Sequence, residues 1–233
     1  MRAAALWMLT PPDAKIVPCC EALAASGLLR PGDIAFHCSG SLASSALANA
    51  ARLGTRVASV HPLKSFADPR AAAASFAGTW CAAEGDAAAL EVLRPAFERI
   101  GARVSEIAPQ HKTLYHAASV IACNYLVALM EVGLRCYERT GLERGSALAM
   151  MEPLVRETLD NVLRLGTAPA LTGPIARGDD AVIAQHLAAL GAWDADTGEL
   201  YRRLGAVALE LAREQGEASP EALARLADVL RSQ

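Results

Sequence analysis

Along the first hundred residues, apolar and polar positions alternate between short apolar runs and helical periods. The continuous apolar run at 3–9 reads as a strand buried on both faces, and 33–38, 56–60, 79–83 and 103–107 are the next strand candidates. Helical periods fill 13–26, 41–53 and 86–100, stopped by Gly27 with Pro31-Gly32, by Gly54 and by Gly101. Strands separated by helices of roughly ten to fifteen residues predict βαβ crossovers and a mainly parallel sheet, an α/β fold. After Pro109 the pattern is wholly helical, at 110–140, 142–165 (with Gly166 just beyond), 181–190, 195–215 and 220–230. Ser219-Pro220 is a helix start, the serine as N-cap and the proline at the first helical position. Two domains are expected, 1–108 and 109–233, meeting at Ala108-Pro109.

Composition narrows the class. Of 233 residues, 53% are hydrophobic and 20% charged, which excludes disorder and allows a core without disulfides or metal. A net charge of −3 lacks the basic surplus of a nucleic-acid binder. Nineteen Arg against three Lys, with abundant Ala, reflects GC-rich bacterial coding. Cys19 and Cys20 are adjacent, and Cys38, Cys81, Cys123 and Cys136 stand alone without a C-x-x-C pair, so reduced thiols in the cytoplasm are expected. The opening apolar run is at the lower limit for a signal peptide and meets Pro11-Pro12-Asp13 without a cleavage site. The apolar stretch 117–130 is broken by Asn124 and is short for a bilayer span, so no membrane is expected.

Candidate chemistry gathers at strand ends. Thr10-Pro11-Pro12-Asp13 closes a strand and opens a helix, the place where doubly wound sheets collect ligands; Asp13 as a simple cap is the alternative. His37-Cys38-Ser39-Gly40-Ser41 repeats that placement, with two hydroxyls and a glycine for close backbone approach, or a serine-capped helix start. His61-Pro62 ends the third strand, and His37 and His61 are candidate proton donors near neutrality. His111 and His116, five apart, point to different helix faces, so no metal site is expected. His116 and Asn124, eight apart, fall on a similar face. The stretch 171–179 (Leu-Thr-Gly-Pro-Ile-Ala-Arg-Gly-Asp) is more elaborate than a helix link requires.

Taken together, Thr10-Pro11-Pro12-Asp13, His37 to Ser41, Ser59-Val60-His61-Pro62-Leu63-Lys64-Ser65-Phe66, Tyr115-His116-Ala117-Ala118, Ala122-Cys123-Asn124-Tyr125 and the 171–179 stretch resemble one bacterial family. These are Rossmann-like proteins carrying the domain of unknown function 2520, distant relatives of pyrroline-5-carboxylate reductase, ketopantoate reductase and deazaflavin-dependent NADP oxidoreductases. The resemblance implies a Rossmann-like dinucleotide domain and a helical domain like the C-terminal one of 6-phosphogluconate dehydrogenase. It implies a homodimer, with a small-molecule substrate in the interdomain cleft. It assigns NADP or NAD to Thr10, Pro11, Asp13, Ser39, Gly40 and Ser41, catalysis to His61, His116 and Asn124, and substrate binding to Thr172, Gly173 and Arg177.

Two departures qualify it. The helix lysine of β-hydroxyacid dehydrogenases falls at Val120, and none of the 17 Gly forms G-x-G-x-x-G. That turn supplies the amides that hold the pyrophosphate. The expectation is a family member begun late, at what would be the fourth strand, with a half-built dinucleotide site and weak NAD(P) binding. The alternative is a non-catalytic helical dimerisation and ligand-binding module with a Rossmann remnant. A hydrolase using Ser39 and His61 ranks last, for want of a G-x-S-x-G elbow.

Overall fold

The computed structural model describes residues 2, 4–66 and 68–232. The chain divides into two compact units, one up to Val127 and one from Ala128 onward.

In the first unit, β1 (Leu6–Leu9), α1 (Asp13–Ala25), β2 (Ile34–His37), a 3-10 turn (Ser44–Leu47), α2 (Ala48–Ala51) and β3 (Arg56–Pro62) follow in order. Then come α3 (Pro69–Ala74), β4 (Trp80–Gly85), α4 (Ala87–Arg99), β5 (Arg103–Glu106) and α5 (Lys112–Ser119). Among the described residues the five strands form one sheet in the order β1-β2-β3-β4-β5. The expected strand at 3–9 is found as Leu6–Leu9, and Ala3 lies outside the described residues.

Alternation along the strands sends side chains to two cores. Ala35 and Val57 pack with Leu9, Ile16, Cys20, Leu23 and Leu47 on the α1 face. Ile34, Phe36, Ala58 and Val60 pack with Leu90, Leu93 and Phe97 on the α4 face, where Phe36 and Phe97 meet edge to face at 5.9 Å. This second face is open over β1: Leu6 and Met8 stay exposed and floor a groove of about 620 Å³ walled by Phe97 and Ile100.

Two helices depart from expectation, and the sheet, mainly parallel as expected, has one antiparallel pair, β3 and β4, with Ser59 opposite Glu84. A strand buried on both faces carries the same solid apolar run in either direction, so the run did not reveal it. The helix expected at 41–53 starts only at Ser44, because the Ser39 hydroxyl accepts the amides of Ser41 and Leu42 and holds that stretch as a turn. The helix expected at 110–140 contains a π turn at Val120–Asn124 between α5 and α6 (Tyr125–Arg139). The wider turn changes the phase, and Asn124 is exposed while His116 is half-buried.

The second unit continues α6 into α7 (Arg144–Leu165), α8 (Thr167–Ala170), α9 (Pro174–Arg177), α10 (Asp180–Trp193), α11 (Ala195–Gln215) and α12 (Pro220–Arg231). Ser219 caps α12 through the Ala222 amide, as expected. Ile183, Leu209, Leu226 and Leu230 form its main core. The helical stretch Pro109–Arg139 is long and apolar enough to cross a membrane, longer than the segment the sequence suggested.

Candidate functional site

β1, β2 and β3 run parallel, so their carboxyl ends open on one edge of the sheet. Pro12 is the N-cap of α1 and places Asp13 in its first turn, where the helix dipole favours a carboxylate. Asp13 is therefore not the cap. Its Oδ2 accepts hydrogen bonds from the hydroxyls of both Ser39 and Ser41, each at 2.8 Å. Burial raises the Asp13 pKa, but the two hydroxyl donors and the nearby His37 and His116 outweigh it and leave it lowered.

Gly40 lies buried between those serines. A Cβ built on it would stand 2.5 Å from Nδ1 of His116 and 2.8 Å from Cε1 and Nε2 of His61. Only a glycine lets both imidazoles rest on the backbone there. The two rings lie 5.9 Å apart, nearly perpendicular. On its other side, Nδ1 of His61 shares a 3.0 Å hydrogen bond with the Tyr115 hydroxyl. Nδ1 of His116 is buried and has no protein partner.

His61 and His37 do not titrate near neutrality as expected. Burial, then the charges of Lys112 and His116, push His61 down to about 4. His37 is lowered too, by burial first. Its Nε2 donates to the Ala43 carbonyl at 3.1 Å and its Nδ1 accepts the Ser39 amide at 3.2 Å, so both nitrogens serve the neutral ring. Burial likewise pushes Tyr115 up to about 12, so its phenol keeps its proton.

Beneath this edge a polar row crosses the sheet. His37 pairs in register with Ser59 and Ser59 with Glu84, and all three are buried. Lys112, only 1% exposed, closes on the row from α5: its ammonium donates to the Ser59 hydroxyl and, at 3.2 Å, to Oε1 of Glu84. Glu84 also accepts the Ser44 amide at 2.8 Å and the Ser44 hydroxyl at 2.7 Å. The sequence reading missed Lys112, Glu84 and Tyr115. One signal was available for the lysine, one of three in a chain with nineteen arginines.

Of the residues singled out from the sequence, Asp13, Ser39, Gly40, Ser41, His61 and His116 come together here. Thr10 and His61 line the polar mouth of the groove over β1, beside Lys64, and Pro11 is half-buried. The Asn124 side chain is exposed and makes no hydrogen bond among the described residues. Thr172, Gly173 and Arg177 belong to the second unit. There Gly173, at φ +85°, turns the chain into α9, Thr172 is exposed, and Arg177 pairs with Asp179 at 3.0 Å.

A mostly parallel sheet with helices on both faces, followed by a helical unit, defines a Rossmann-like α/β fold. Residues 79–208, more than half of the chain, match the family described as a domain of unknown function (DUF2520), and the chain belongs to this family. Among solved structures it is similar to protein TM1727 from Thermotoga maritima, with 27% identity and a TM-score of 0.77 over 93% of this chain and 81% of that one. It also resembles BF3122 from Bacteroides fragilis, provisionally an NADP oxidoreductase, at 22% identity and TM-score 0.67 over 90% and 77% of the two chains. Pyrroline-5-carboxylate reductase from Coxiella burnetii shares the fold at 16% identity and TM-score 0.50, over 91% and 76%. None of the curated proteins matches the chain in sequence.

Proposed function

We propose that the chain is an NAD(P)-dependent oxidoreductase of a small-molecule substrate. The observation that carries this reading is the convergence of His61 and His116 on Gly40, at the edge where three parallel strands end. Ligands of doubly wound sheets bind at such an edge.

The residues present fit the nicotinamide half of the cofactor. Nδ1 of His116, buried and unpartnered, is a group that a bound ligand would satisfy. Thr10, Pro11, Asp13 and Ser39 to Ser41 surround it with small polar groups. They do not fit the pyrophosphate half, because no G-x-G-x-x-G occurs in the sequence. When bound, the nicotinamide supplies or accepts a hydride. The protein's part is to orient the substrate and hold a proton: in the tautomer whose Nδ1 accepts from the Tyr115 hydroxyl, neutral His61 carries its proton on Nε2, facing Gly40.

The working form is a homodimer. Along α7, Leu154 and Leu163 are 59% and 85% exposed, and Leu129 of α6 is exposed as well. Apolar helix faces of this kind are covered in helical assemblies by a second copy.

The exposed leucines of α6 and α7 also fit a second reading, a non-catalytic helical dimerisation and ligand-binding module. The test is consumption of NADPH and NADH, followed by nicotinamide absorbance, against a panel of small ketones, aldehydes and imines. Turnover that falls about a hundredfold in His61→Ala is the expected result. No turnover with any compound, together with unaltered ligand binding by His61→Ala, would favour the module.

A further inference from the structure

The Lys112–Glu84 pair has no part in the chemistry proposed so far, yet it is the most deeply buried charge pair in the first unit. Neither side chain is more than 1% exposed. Such pairs cost desolvation energy, and apolar residues of similar volume often stabilise a fold as well or better. What this pair does beyond packing is visible in its connections. From the ammonium the bonds run to the Ser59 hydroxyl and on to the Ser39 carbonyl at 3.4 Å, one residue before Gly40. Glu84 anchors the other end of the same loop through the amide and hydroxyl of Ser44. The stretch 39–44 is thus held from below at both ends, while His61 and His116 rest on its middle.

Resting on the reading of that histidine pair as the site, we propose that Lys112 is its positioning residue: paired with Glu84, it fixes the backbone seat under His61 and His116 and keeps a positive charge beneath them. The other charged or titratable groups near His61 are Asp13 from α1 and His116 and Tyr115 from α5, with Cys38 and Lys64 lining the same groove. Asp13 favours the charged imidazole, whereas Lys112 and His116 oppose it. A compact ammonium suits the place, because it donates to two acceptors from a single atom, where a planar guanidinium would demand a fork.

The test needs no cofactor. Side-chain ¹⁵N NMR follows His61 against pH, and amide spectra follow Gly40, in the wild type, Ser59→Ala and the double variant Lys112→Met/Glu84→Gln. The double variant removes both charges and leaves no buried charge unpaired, and circular dichroism checks that it folds. In it the His61 midpoint should rise, and the Gly40 amide should shift. In Ser59→Ala the lysine charge remains, so the Gly40 amide should shift while His61 keeps its low midpoint. A folded double variant with His61 and Gly40 unchanged overturns the role, as does Ser59→Ala with an unmoved Gly40 amide. Failure of NADPH to react leaves this result standing, and an unchanged His61 defeats it even where NADPH is consumed.

Discussion

Nδ1 of His116 occupies the space that a side chain on Gly40 would need, 2.5 Å from an ideal Cβ there. Gly40→Ala must therefore displace His116, His61 or the loop itself. Overpacking of this kind costs about 1–3 kcal/mol. Urea denaturation should show that loss, and the ring resonances of both histidines should move. A variant of wild-type stability with unmoved histidine resonances would mean that the rings do not rest on Gly40.

Asp13 ties the first strand end to the second through two hydroxyls at 2.8 Å. Asp13→Ala should leave the fold intact, with a loss of about 1 kcal/mol. Hydrogen exchange at the amides of Ser41 and Leu42 should quicken, since the Ser39 hydroxyl that accepts them loses its own anchor. Unchanged protection at both amides would show that the serine turn holds without Asp13.

His61 and His37 set a pH dependence. Both have folded values below the ordinary 6.5, His61 at about 4. The unfolded chain therefore takes up protons first as pH falls. Their contribution to stability is complete above about pH 6.5 and is lost as pH falls toward 4. Denaturation midpoints measured across that window should decline, and His61→Phe should decline less steeply. An identical slope in the variant would remove His61 from this account of acid sensitivity.

Leu154 and Leu163 project from α7 into solvent in the single chain. Light scattering should give twice the mass of one chain, and Leu154→Glu/Leu163→Glu should give the mass of one. A wild-type monomer at micromolar concentration would refute the dimer.

The strands and most helices were legible because solid apolar runs and glycine stops mark them directly, as at 33–38 and at Gly101. The direction of β4 was not, since burial on both faces erases the alternation that would distinguish its neighbours. The π turn was hidden for a related reason: one wider turn leaves the residues around Asn124 as apolar as before. Strand-end position brought Asp13, Ser39, Gly40 and His61 to notice, and these residues do converge. Lys112 escaped because a lysine just after Pro109-Gln110-His111 reads as a solvated first-turn residue. Glu84 escaped because its partner, Ser59, is assigned only by the antiparallel register. Long-range pairing carries that information, and local pattern does not.

We propose the histidine pair over Gly40 as the seat of the nicotinamide. The direct measurement is NMR titration of the His61 and His116 side chains with NADPH and, separately, with reduced nicotinamide mononucleotide. Both ligands should move both histidines saturably, and Gly40→Ala should abolish the shifts. NADPH that binds without moving either histidine, or that does not bind at all, would contradict the claim.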